Sequence, residues 1–164
     1  MEPKIVDLDR IILVGLPFYG DPSTGGFGQA WHRFFPLAER IPHRINPTVM
    51  YGVEMYGPES MQEHKWTYFP STAVSQLDVS EIPDHLFAAV LPAARYAVFT
   101  AKGGLNALPA TFRYAYDTWL PASEYEGTGM LDFELYDERF RESEPDSELD
   151  VYIPIRLRQA ASAG

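Results

Sequence analysis

Apolar and polar positions along this chain alternate in short runs, and two longer stretches interrupt them with helical spacing. Ile11-Ile12-Leu13-Val14 reads as a buried strand within a β-rich opening, Lys4–Asp9 and Arg10–Tyr19. Phe27, Trp31, Phe34, Phe35 and Ala38 recur at the spacing of one helix face and predict a helix over Phe27–Ile41, which Pro36 should kink or end early. Thr48–Tyr56 and Lys65–Val74 return to strand alternation, the second with Trp66, Tyr68 and Pro70 on one face. After a polar connector, Ser75–Asp84, the plan starts again. Strands are predicted over Leu86–Leu91 and Arg95–Ala101, a helix over Asn106–Trp119 closed by Leu120-Pro121, and strands over Leu131–Tyr136 and Asp150–Leu157.

Strand, helix, strand, strand thus occurs twice, an internal repeat of roughly eighty residues. An offset of eighty carries Gly52-Val53-Glu54-Met55-Tyr56 onto Asp132-Phe133-Glu134-Leu135-Tyr136, and Phe34 onto Tyr114. The expectation is one α+β domain over 1–158, with repeats at about 10–75 and 85–157 meeting about a pseudo-twofold axis. A cleft at that junction would be lined by both central strands. Period two sends Phe133 and Leu135 one way, expected to be the helix-packed core, and Glu134 and Tyr136 to the cleft. Glu54 and Tyr56 follow the same rule, with Glu54 placed nearer solvent than its mate. Asp137–Glu148 reads as an acidic mobile loop and 159–164 as a disordered tail.

Charge narrows the function. The formal net charge is −10, so the surface repels phosphate backbones and direct nucleic-acid binding is not expected. Cysteine is absent, which excludes disulfides and thiolate chemistry and fits a cytoplasmic protein. Neither a signal peptide nor a membrane span is read, the longest apolar runs being Ile11–Val14 and Leu86–Leu91. Of the ten Phe, ten Tyr and three Trp many must be core, and Tyr and Trp in such number also favour a ligand cleft.

The candidate chemistry centres on Glu134. A carboxylate among rings loses solvation, which raises its pKa and favours a cationic ligand, or a general acid or base role in an enzyme. The plainer reading ties it to a structural arginine or tyrosine. Glu54, Tyr136, Tyr56, Trp66, Tyr68, Tyr96, Phe99, Trp31 and Trp119 are candidate cleft walls, and Phe18 and Tyr19 a candidate rim. For Trp31 and Trp119, core packing of the helix face competes with that role. The histidines His32, His43, His64 and His85 have no paired ligand spacing, Gly20–Gly26 lacks a phosphate-loop pattern, and Glu138–Glu148 lacks calcium-loop spacing. No metal and no cofactor are expected.

Tyr51-Gly52-Val53, Arg95–Phe99, Lys102-Gly103, Trp119–Glu126, Phe133–Tyr136 and Asp150–Ile155 come in an order that resembles the gyrase-inhibitor-like (GyrI-like) small-molecule-binding domain, the effector-binding part of AraC-type and multidrug-sensing transcription activators. The resemblance runs from about Ile11 to Ile155. It implies a duplicated strand–helix–strand–strand fold, a cleft for aromatic and cationic compounds, and a buried glutamate matching Glu134. It also implies an alternative, hydrolysis of cyclopropane-bearing alkylating toxins with a cleft glutamate. A third reading is an acidic protein-interaction module. The family acid expected at the end of the long strand is replaced by Ala73, and a glycine by Ser71, which should reshape one cleft wall. No helix-turn-helix is read on either side of the domain.

Overall fold

The two stretches related by the eighty-residue offset become the central strand pair of a single sheet. The computed structural model describes residues 1–129, 131–142 and 144–159. The first repeat, preceded by β1 (Lys4–Leu8), contributes β2 (Ile11–Gly15), β3 (Phe18–Gly20), helix α1 (Gly26–Ala38), β4 (Met50–Met55), the short helix α2 (Ser60–Glu63) and β5 (Trp66–Val74). The second contributes β6 (Phe87–Leu91), β7 (Ala94–Lys102), α3 (Leu108–Tyr114), α4 (Leu120–Ala122), β8 (Tyr125–Gly127), β9 (Leu131–Tyr136) and β10 (Glu148–Leu157). The strand order is β1-β7-β10-β9-β4-β5-β2-β6, antiparallel throughout, with β3 added to β5 and β8 to β10.

Two tight connections shape this sheet. Asp9-Arg10 joins β1 to β2, and Pro92-Ala93 joins β6 to β7, yet each pair comes from opposite ends of the strand order. The sheet must therefore curl until its ends approach. The inside of the curl is an apolar core containing Leu13, Tyr51, Val53, Phe69, Tyr96, Val98 and Phe133. On the outer face α1 covers one wing, with Phe34 and Ala38 over Val14 and Val74. The second helix covers the other, with Ala115 and Leu120 over Phe99, Val151 and Ile153. Between the wings lies the outer face of β4 and β9.

The register of that central pair carries the repeat. Val53 lies opposite Phe133, and these residues are also equivalent at the eighty-residue offset. A local twofold passing between them makes Glu54 and Glu134 equivalent. It also sets Glu54 opposite Asp132 and Glu134 opposite Gly52.

Several expectations need correction. Phe133 does not face the helices. It packs inside the curl, and both helices share the outer face with Glu134. Alternation separates the two sets of side chains but does not say which set the helices cover. Helix α1 does end early, at Ala38, two residues beyond Pro36 and short of Ile41. The second helix runs from α3 through a π-helical turn, Ala115–Trp119, into α4 and stops at Ala122, one residue past Leu120-Pro121. The described residues of the acidic segment after β9 are tied to the sheet near both ends. Arg139 Nη2 donates to Asp137 Oδ2 at 2.7 Å and Asp150 Oδ2 at 2.6 Å, and Gly103 and Gly104 donate their N–H groups to the Ser147 carbonyl at 2.8 and 3.0 Å. Residues 160–164 of the expected tail lie outside the described residues. Among the described residues no helix is long and apolar enough to cross a membrane.

Candidate ligand-binding cleft

Where the outer face of β4 and β9 lies between the helices, it floors a cleft of about 540 Å³, within the range that small-molecule sites occupy. Phe27 and Trp31 come from α1, Trp66 and Tyr68 from β5, and Leu108, Phe112 and Tyr116 from the second helix. Glu54, Tyr56, Glu134 and Tyr136 come from the duplicated stretches. Phe27 stacks on Tyr68 with ring centres 4.3 Å apart and planes 5° from parallel.

Each glutamate is held by the tyrosine two residues on, because period two places both on one face. Tyr56 OH donates to Glu54 Oε2 at 2.8 Å, and Tyr136 OH donates to Glu134 Oε2 at 2.6 Å. The halves then diverge. Glu134 accepts a second bond from Tyr68 OH at 2.7 Å, and Tyr68 in turn accepts from Trp31 Nε1 at 2.9 Å. Glu54 instead faces a third acid: Tyr56 OH also lies 3.0 Å from Asp132 Oδ2, and Tyr116 OH donates to Asp132 at 2.8 Å. Tyr116 owes its place to the π-helical turn.

The three acids are almost sealed from water, Glu54 at 8% exposure, Asp132 at 1% and Glu134 at 2%. None takes part in an ion pair among the described residues. Burial therefore dominates their ionisation. It pushes Asp132 up to about 7 despite the Tyr116 bond. It pushes Glu54 up to about 8, with repulsion from Glu134 as the next cause. Glu134 is raised by burial against the opposing hydrogen bonds from Tyr136 and Tyr68. The floor thus carries two acids, Glu54 and Glu134, with Asp132 joined to them through Tyr56, and a positive charge would stabilise their ionised form. Among the described residues no group of three His, Cys, Asp or Glu has the geometry to hold a metal ion. Trp66 Nε1 is buried without a hydrogen-bond partner among the described residues.

Of the positions expected to line the cleft, Glu134, Glu54, Tyr136, Tyr56, Trp66, Tyr68 and Trp31 converge there. Glu54 is buried and not near solvent. Five positions lie elsewhere. Tyr96 points into the curl, edge-on to Phe133 at 5.3 Å. Phe99 is buried under the second helix, against Trp119 at 5.5 Å, and Trp119 stacks on Tyr125. Phe18 stands behind Phe27, and Tyr19 is 58% exposed away from the cleft. Ala73 also faces the curl, so its replacement of an acid leaves the cleft wall unchanged. The expectation missed Asp132, Tyr116, Phe27 and Phe112 as lining or site residues. Asp132 shares the parity of Glu134 and was open to the period-two argument. Helical spacing assigns Phe27 and Phe112 to apolar helix faces, and nothing in the sequence announces the π-helical turn.

A curled sheet whose outer face opens between two helices onto acids and rings defines an α+β ligand-clasping domain. The chain belongs to the GyrI-like family: the family model of the GyrI-like small molecule binding domain matches residues 1–158. The chain is 31% identical over 159 residues to the transcriptional regulator BrlR of Pseudomonas aeruginosa, covering 94% of this chain and 56% of BrlR, so it spans just over half the length of that relative. Among solved structures it is similar to SAV2435 bound to tetraphenylphosphonium, with a TM-score of 0.75 and 16% identity, covering 95% of this chain and 94% of that one. It is also similar to a hydrolase from Listeria innocua, with a TM-score of 0.64 and 9% identity, covering 94% and 92% of the two chains. At these identities the two structures speak to the fold.

Proposed function

We propose that this chain binds hydrophobic organic cations in the cleft between its repeats, in the cytoplasm, as a means of sequestering, sensing or resisting them. The observation that carries this reading is the pair of buried acids in the cleft, Glu54 and Glu134, walled by aromatic rings, linked through Tyr56 to a third acid, Asp132, and lacking any basic partner among the described residues. A cation with an apolar body satisfies both halves of that environment. Its charge stabilises ionised Glu134, and its body packs on Phe27, Trp66 and Phe112, where rings over a cation contribute on the order of 0.5–2 kcal/mol. The tetraphenylphosphonium bound by SAV2435, a protein of the same fold, is a compound of this chemical class. Titration with tetraphenylphosphonium, followed by calorimetry or tryptophan fluorescence, tests the reading. Saturable binding that weakens as pH falls supports it. Absence of binding, or equal binding of a neutral isostere, overturns it.

One observation favours a second reading. Tyr56 bridges two acids whose pKa values burial raises, and one of them, Glu54, lines the cleft where a general acid would meet a substrate. With a hydrolase among proteins of this fold, addition of water to a strained ring is the corresponding activity. Chromatography of a cyclopropane-bearing alkylator after incubation separates the readings: unchanged compound means binding alone, and a hydrated product means turnover.

A further inference from the structure

Helix α1 carries a glycine that its surroundings do not require. Gly28 has no left-handed backbone. A Cβ placed there meets no atom within 4 Å. A glycine inside a helix costs backbone entropy that alanine would not, so the position forgoes stability without a packing reason. What adjoins Gly28 is open space on two sides. It lines the cleft described above and also a second chamber of about 280 Å³.

Trp31, Leu105 and Tyr136 complete the boundary that the two spaces share. The Trp31 and Tyr136 rings meet edge to face at 5.1 Å. Each is held by a hydrogen bond, Trp31 to Tyr68 and Tyr136 to Glu134, so together they form a fixed post. The missing side chain at Gly28 leaves a way past it. Beyond the post the walls are largely apolar, with His32, Thr48, Asp137 and Glu142 at the remaining positions. Phe35 stacks on Trp31 at 5.4 Å, Phe140 stands edge-on to Tyr136 at 4.9 Å, and Met50 adds a further apolar surface. Phe35 is 51% and Leu105 48% exposed, apolar surface left uncovered at this chamber. Arg139 anchors the Phe140 wall through Asp137 and Asp150.

We propose that this chamber is an annex to the cleft that takes the alkyl or aryl arm of an elongated cation whose head lies at Glu134, and that Gly28 is the specificity-determining residue that admits the arm. The inference rests on the cation-binding reading and adds to it the shape of the ligand.

The test compares two salts with one head group, methyltriphenylphosphonium and hexyltriphenylphosphonium, and reads the ratio of their affinities. In the wild-type protein the hexyl salt binds at least about tenfold more tightly, since several methylenes leave water. Thr48, exposed and lining only the annex, is replaced in Thr48→Trp to fill it from the far wall. Gly28→Leu closes the passage. Both variants are checked for an unchanged fold by circular dichroism. The ratio falls towards one in each. A wild-type ratio near one, or a ratio that survives both substitutions, overturns the annex while leaving the cation reading in place. Failure of both salts to bind the wild-type protein overturns the cation reading and the annex with it.

Discussion

The carboxyl group of Glu134 occupies the space that a side chain at Gly52 would need. The two residues are cross-strand neighbours on β9 and β4, and a Cβ built on Gly52 would lie 2.6 Å from Glu134 Oε2 and 2.3 Å from Tyr68 OH. Both of those atoms are buried and tied by hydrogen bonds, so neither can step aside cheaply. Gly52→Ala is therefore expected to cost roughly 1–3 kcal/mol of stability through overpacking, and to weaken cation binding as well. Chemical denaturation and a tetraphenylphosphonium titration check this. A variant as stable and as tight as wild type would show that Glu134 does not depend on the Gly52 platform.

Glu134→Gln keeps the shape and removes the charge. The fold should survive, because the amide can still accept from Tyr68 and Tyr136. Cationic ligands should weaken by about 1–3 kcal/mol, the range for hydrogen bonds to charged groups, and neutral ligands of similar shape by less. Equal affinities for the cation in both proteins would reduce Glu134 to a structural residue.

The ligand-free protein should lose stability as pH rises from about 5 to 8. Asp132, Glu54 and Glu134 all have folded pKa values above their ordinary ones. Below the unfolded values both states are protonated and burial carries no ionic cost. As pH climbs towards about 7 for Asp132 and about 8 for Glu54, the unfolded chain ionises freely while the folded one resists, and the penalty accumulates. For Asp132 alone, displaced from 3.8 to about 7, it is on the order of 4 kcal/mol at full ionisation. Asp137, lowered by Arg139, acts in the opposite sense, in the acid range below this window. Denaturation midpoints across the range test this; a midpoint flat or rising between pH 5 and 8 would refute it.

The same linkage predicts that cation binding expels protons. Affinity for tetraphenylphosphonium should rise between pH 6 and 8, by up to about tenfold per pH unit for each proton released. Calorimetry in buffers of different ionisation enthalpy counts those protons directly. Zero release at pH 7 would mean that the acids stay neutral beneath the ligand.

Duplex DNA should not bind. With a net charge of −10 the chain gains nothing from displacing counterions along a phosphate backbone. A salt-sensitive gel shift at micromolar protein would contradict this.

By itself the sequence determined what depends on neighbours along the chain. Period-two alternation put Glu54 with Tyr56 and Glu134 with Tyr136, and the tyrosine-to-glutamate bonds are the direct result. The eighty-residue offset announced the equivalence that the Val53–Phe133 register displays. Tertiary structure decided what depends on where the sheet bends. Alternation divides side chains between two faces, but the curl forced by the Asp9-Arg10 and Pro92-Ala93 connections chose which face enclosed a core and which received the helices. That choice turned Tyr96 inward and kept Ala73 out of the cleft. It also brought Tyr116 to Asp132 across sixteen residues, through a π-helical turn that no local pattern marks. Distant partners, not residue types, set the charge of this site. Three acids spaced like ordinary surface carboxylates became buried and raised in pKa because the fold excluded water and, among the described residues, brought no base to meet them.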